Sequence, residues 1–162
     1  MARALIVGCG CRGRALGTGL LEAGWQVRGT TRARARLGPI EAAGIEAAVA
    51  DPDRIASILE QIEGVTLIYW LLGAASGPAL SVAALHTERL ERLLEEIVDT
   101  PIRGFVYELA SGLEAGDSLR ALELLRSAGE RWRIPFEVVD APPGDHQSWL
   151  IGMRAAAVEL VA

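Results

Sequence analysis

Residues 8–17 read Gly-Cys-Gly-Cys-Arg-Gly-Arg-Ala-Leu-Gly. Within them, Gly8-x-Gly10-x-x-Gly13 has the spacing that cradles the diphosphate of a dinucleotide. Each glycine has its own task. Gly8 makes a tight turn, Gly10 lets the backbone approach the diphosphate, and Gly13 lets a helix pack closely on a strand. The diphosphate then lies at the positive end of that helix. Cys11 and Arg12 belong to the same loop, and Arg12 adds a positive charge. The competing reading is a tight turn in an α/β protein that holds no ligand.

Cofactor choice is normally made about 20 residues further on, where an NAD site places Asp or Glu against the ribose 2′-hydroxyl. This chain has Gly29-Thr30-Thr31-Arg32 there, followed by Arg34 and Arg36, and no acid. A guanidinium at Arg32 can pair with a 2′-phosphate, and the Thr31 hydroxyl can donate to it. These residues favour NADP over NAD. Arg36, and in part Arg34, fit a solvated helix face equally well.

Other reactive types are sparse. Lysine is absent and all 16 basic residues are arginine. Schiff-base chemistry, a phosphate-binding lysine and a lysine base are therefore excluded. Cys9-x-Cys11 lacks the further ligands of a zinc site, so no metal is expected; small side chains in a crowded turn explain the pair better. His146 follows Pro142-Pro143-Gly144-Asp145, where an imidazole can act as acid or base near neutral pH. Asp145 is equally suited to cap a helix that His146 merely opens. His86 reads as a partly exposed helical histidine rather than one facing the cofactor crevice, Asp140 as a strand-end residue rather than a cap or ligand, and Trp149 as packing the last helix onto the sheet rather than covering the site.

The elements that must position these residues alternate regularly. Short apolar runs predict strands near 3–8, 25–30, 45–49, 65–71, 103–109 and 135–140. Helical patterns fall near 12–23, 34–43, 53–61, 80–98, 116–129 and 146–161, with Gly, Pro, Asp or Thr at most junctions. That alternation predicts an α/β, doubly wound parallel sheet with helices on both faces. In the helix 80–98, Leu85, Leu90, Leu93, Leu94 and Ile97 share one face, which covers the sheet or, alternatively, a second copy in a homodimer.

The chain has 162 residues, 51% of them apolar, and a net charge of −5. Residues 1–162 read as one domain with a real core and no separate substrate domain. The charge gives no attraction to nucleic acid or to an anionic membrane. No run approaches a membrane span, and the N-terminus does not read as a signal peptide, so a cytoplasmic location is expected.

Val7–Gly13 followed by Gly24-Trp25-Gln26-Val27-Arg28-Gly29-Thr30-Thr31-Arg32 resembles the opening of extended or atypical short-chain dehydrogenase/reductase proteins, and in particular bacterial epimerase/dehydratase-like ones. The resemblance is good over residues 3–32 and continues more weakly to about residue 140. It implies a Rossmann sheet of six strands in the order 3-2-1-4-5-6. It also implies that Asp51, after the third strand, contacts adenine, that Leu72, Gly73 and Ala74 line the cofactor, and that Ser111 stands at a position that is often catalytic. Ala141, Pro142 and Pro143 would approach the nicotinamide. Two departures are plain. The family's Tyr-x-x-x-Lys pair cannot exist without lysine, and Tyr69 and Tyr107 both fall within predicted strands, as core or edge residues rather than proton donors. Only about one helix follows the sixth strand.

Three functions fit this pattern. One is an NADPH-dependent reductase that passes hydride to a small acceptor without a tyrosine–lysine pair. Another is a non-catalytic NADP-binding sensor or subunit. The third is a degenerate α/β domain kept for protein contacts. Turnover with an acceptor separates the first from the second, and nucleotide binding separates both from the third.

Overall fold

The computed structural model describes residues 2–142 and 144–161. Six strands form one sheet: β1 (Arg3–Val7), β2 (Gln26–Thr31), β3 (Glu46–Val49), β4 (Leu67–Trp70), β5 (Gly104–Glu108) and β6 (Phe136–Val139). Every neighbouring pair is parallel, as the alternation predicts, and the order is β3-β2-β1-β4-β5-β6, the order that the resemblance implies. The chain leaves β1 toward one edge of the sheet and returns to β4 on the other side of β1. Between β1 and β4, at the carboxyl ends of the strands, this reversal opens a crevice.

The helices are α1 (Cys11–Glu22), α2 (Leu37–Ala42), α3 (Ile55–Leu59), α4 (Ala79–His86), α5 (Glu88–Glu96), α6 (Ala115–Trp132) and α7 (His146–Val161). Side chains alternate across each strand and divide the core in two. Leu5, Val7, Ile68, Trp70, Phe105 and Tyr107 meet α3 to α6 on one face. Ala4, Ile6, Val27, Leu67, Tyr69 and Val106 meet α1, α2 and α7 on the other. Burial on both faces is why the strands read as nearly continuous apolar runs.

The helix expected over 80–98 is two helices. The backbone breaks at Thr87, with φ −125° and ψ −91°. The Thr87 hydroxyl donates to the carbonyl of Ala83, four residues back, a local bond that competes with a straight helix. Leu90, Leu93, Leu94 and Ile97 are buried against the sheet, as their spacing suggests. The break turns His86 inward as well. Expected to be partly exposed, it is fully buried.

Among the described residues, no helix is long and apolar enough to cross a membrane, and no cluster of three or more His, Cys, Asp or Glu could hold a metal ion.

Candidate dinucleotide site

The glycine loop joins β1 to α1 at the mouth of the crevice. Gly8 has φ +87°, a left-handed conformation, and a Cβ there would stand 2.5 Å from the Leu71 carbonyl oxygen of the adjacent loop. Gly13 backs onto β1, where a Cβ would lie 3.2 Å from the Gly8 carbonyl oxygen and 3.3 Å from Ile6. Gly10 differs from both, because a Cβ on it would meet nothing within 4 Å. Its side faces open space rather than protein.

Gly10 also caps α1. No side chain bonds to the first turn of this helix, and the turn contains no acidic residue. The first N–H groups therefore keep both their hydrogen-bonding capacity and the positive end of the helix dipole for a ligand. A cavity of about 200 Å³ lies alongside, lined by Gly8, Gly10, Cys11, Arg12, Gly13, Leu71, Ala74, Glu108 and Trp149. An open glycine, an uncapped helix start and an adjoining cavity fit a dinucleotide diphosphate.

The two cysteines of the loop have different fates. Cys9 is buried beneath Gly29, whose Cβ would come within 2.6 Å of its Sγ, and burial pushes its thiol up to about 12. The Cys9 N–H donates to the Thr30 carbonyl at 2.9 Å and ties the loop to β2. Cys11 is exposed and lines the cavity.

Thr31 and Arg32 stand at the end of β2, beside the first half of the crevice. The Thr31 hydroxyl oxygen accepts from the Ala33 N–H at 3.3 Å. Arg32 is half exposed and pairs with Asp51 at 3.4 Å and Asp53 at 3.3 Å. Asp53 also pairs with Arg89 of α5 at 3.6 Å. The guanidinium singled out for a 2′-phosphate and the carboxylate matched to adenine thus stand together as an ion pair.

The loop after β4 is pinned from behind. The buried His86 Nε2 lies 3.0 Å from the Leu72 carbonyl, and its Nδ1 lies 2.6 Å from the Tyr107 hydroxyl. Nε2–H donating to Leu72, with Tyr107 donating to Nδ1, satisfies every group with a neutral imidazole. Burial lowers the affinity of His86 for a proton, consistent with that form. Tyr69 donates to the Met153 carbonyl at 2.8 Å. Both tyrosines are fully buried, as their place in strands implied, and burial raises both hydroxyls above the usual phenol range.

Glu108 was not singled out in the sequence. It ends β5, is 6% exposed and points into the cavity. Its Oε1 accepts from the Gly73 N–H at 2.7 Å and its Oε2 from the Trp149 indole at 2.6 Å. Arg12 approaches Oε2 at 3.6 Å while its guanidinium lies 4.3 Å from the centroid of a Trp149 ring. A lone acid closing an otherwise apolar strand was the available signal.

The remaining candidates fall outside this cluster. Ser111 is exposed in the loop after β5 and does not line the cavity. His146 is exposed at the start of α7 and stacks on Trp149 at 6.1 Å. Asp145 caps α7, accepting from the Ser148 N–H at 3.0 Å and from its hydroxyl at 2.7 Å. Those bonds hold its carboxyl below the ordinary range. Trp70 packs under α4, its indole donating to the Leu85 carbonyl at 3.1 Å. Pro143 lies outside the described residues.

No protein-family model matches the sequence, and no curated protein matches it. Solved structures do. A UDP-glucuronic acid 4-epimerase from Bacillus cereus, in complex with NAD, superposes with a TM-score of 0.65 at 16% identity, over 84% of this chain and 55% of its own. Vestitone reductase from alfalfa gives 0.62 at 17% identity, over 85% and 56%. The chain thus spans little more than half the length of these two enzymes. A protein from Burkholderia multivorans assigned as a short-chain alcohol dehydrogenase gives 0.70 at 16% identity, over 98% of this chain and 91% of its own. From its sheet order and these likenesses, the chain has a Rossmann fold.

Proposed function

We propose that the chain binds NADP across the carboxyl ends of its central strands and exchanges hydride with a small acceptor without a tyrosine–lysine pair. The observation that carries this reading is the uncapped start of α1, which opens past the unobstructed side of Gly10 into a cavity bordered by Arg12. The N–H groups of α1 and the Arg12 guanidinium would hold the diphosphate. Thr31 and Arg32 would hold the 2′-phosphate, with Asp51 at the adenine. Leu72 and Gly73 would shape the loop that lines the cofactor, and Leu71 and Ala74 would flank it directly. The six strands share one sheet, which supports a single nucleotide-binding domain over residues 1–162.

The bound nicotinamide would supply the hydride chemistry. The chain's task is then to orient donor and acceptor. An acceptor such as a flavin or quinone suits a crevice in which neither tyrosine hydroxyl is free. Those same buried hydroxyls favour a second reading, a non-catalytic NADP-binding sensor or subunit.

Arg32→Glu tests the cofactor choice. It should weaken NADPH binding by about tenfold or more, the worth of one charge-assisted contact, and leave NADH within about threefold. Equal loss for both nucleotides would remove Arg32 from the 2′-phosphate and favour NAD held by Asp51.

A further inference from the structure

Arg12 reports on more than the diphosphate. Its guanidinium, a flat cation, lies over the face of Trp149 and beside the Glu108 carboxylate. The indole and the carboxylate are both buried, and they are joined by a 2.6 Å hydrogen bond. Each Glu108 oxygen accepts one N–H bond, Oε1 from Gly73 and Oε2 from the Trp149 indole, which fixes the carboxylate beside the indole. An aromatic face next to a carboxylate is a seat for a planar cation. It is set at the ends of β4 and β5, beside the cavity that the glycine loop opens.

Arg12 holds this seat loosely. It is 39% exposed, and its 3.6 Å approach to Glu108 is too long for a strong hydrogen bond. Arg12 also stands in the first turn of α1, where a diphosphate would draw it away. The seat would then lose its cation. In a doubly wound sheet the second half of a dinucleotide lies over β4 to β6. Its nicotinamide ring is a planar cation when oxidised and neutral when reduced.

We propose that Glu108 and Trp149 form a cation-selective subsite for the nicotinamide ring, so that the protein binds oxidised cofactor in preference to reduced. This rests on the reading that the loop binds a dinucleotide. Arg12 serves the diphosphate when cofactor is present and fills the ring's seat when it is absent. Glu108 makes no covalent bond and moves no proton here; it is a specificity residue.

The test is a calorimetric titration of wild type and Glu108→Gln with NADP⁺, NADPH and 2′-phospho-ADP-ribose, which lacks the ring. Wild type should bind NADP⁺ about tenfold tighter than NADPH, the scale of one partly screened charge contact. In Glu108→Gln the two should fall within about twofold, chiefly through weaker NADP⁺, with 2′-phospho-ADP-ribose bound no more weakly than by wild type. The wild-type ratio decides the matter even if the variant does not fold. Binding with NADPH equal to or tighter than NADP⁺, or a ratio unmoved by the substitution, overturns the subsite while leaving dinucleotide binding intact. No binding of any of the three overturns dinucleotide binding and the subsite together.

Discussion

Gly8 and Gly13 of the loop press on protein while Gly10 faces open space, and the two cysteines set among them divide in the same way. Cys9 is sealed under Gly29 with its thiol pushed up to about 12, whereas Cys11 opens on the cavity. Since the thiolate is the reacting form, a thiol reagent at pH 8 should modify one cysteine promptly and the second only on unfolding. Saturating NADPH should slow the prompt reaction several-fold, because Cys11 borders the proposed diphosphate site. Mass spectrometry of the labelled peptide checks both points; prompt labelling of Cys9 would contradict the packing. The tight turn at Gly8 and the close packing at Gly13 were legible in the spacing alone. The burial of Glu108 was not. A strand buried on both faces reads as apolar throughout, and one acid at its end looks like the start of a loop until Gly73 and Trp149 are seen to satisfy it.

At the scale of elements, α4 and β4 are coupled through His86. The sequence pattern shows an unbroken helix there because the leucine spacing continues across Thr87, whose backbone leaves the helical region while its hydroxyl bonds back to Ala83. Once turned inward, His86 braces the loop that lines the crevice through the Leu72 carbonyl, with Tyr107 on its other nitrogen. Burial lowers its proton affinity below that of the unfolded chain, despite opposing contributions from Leu72 and Asp117. The unfolded chain takes up this proton near pH 6.5 while the folded chain resists it, so the contribution is full above pH 6.5 and is lost as pH falls. One such group changes stability by at most about 1.4 kcal/mol per pH unit. Urea unfolding at pH 7.5 and pH 5.5 should give a steeper loss for wild type than for His86→Gln. Equal losses would show that His86 binds its proton equally in both states.

The molecule as a whole is organised around the reversal of strand order at β1 and β4. The parallel sheet and the position of the loop followed from the alternation of strand and helix patterns, because a βαβ crossover makes neighbouring strands parallel, while the strand order followed from the family resemblance. What lies across the crevice did not follow, since it depends on side chains from α1, β5 and α7 that are far apart in sequence. Arg12, Glu108 and Trp149 meet only when the sheet is complete. The pairing of Arg32 with Asp51 likewise joins the ends of β2 and β3. The central claim, that the glycine loop holds a dinucleotide, is tested most directly by titrating NADPH against wild type and Gly10→Ala. A methyl on Gly10 meets no protein atom, so the variant should keep its unfolding free energy within about 0.5 kcal/mol. Wild type should bind saturably and Gly10→Ala at least tenfold more weakly, because its methyl would stand where the diphosphate approaches. Equal affinity in the two proteins, or no binding to wild type at millimolar nucleotide, would contradict it.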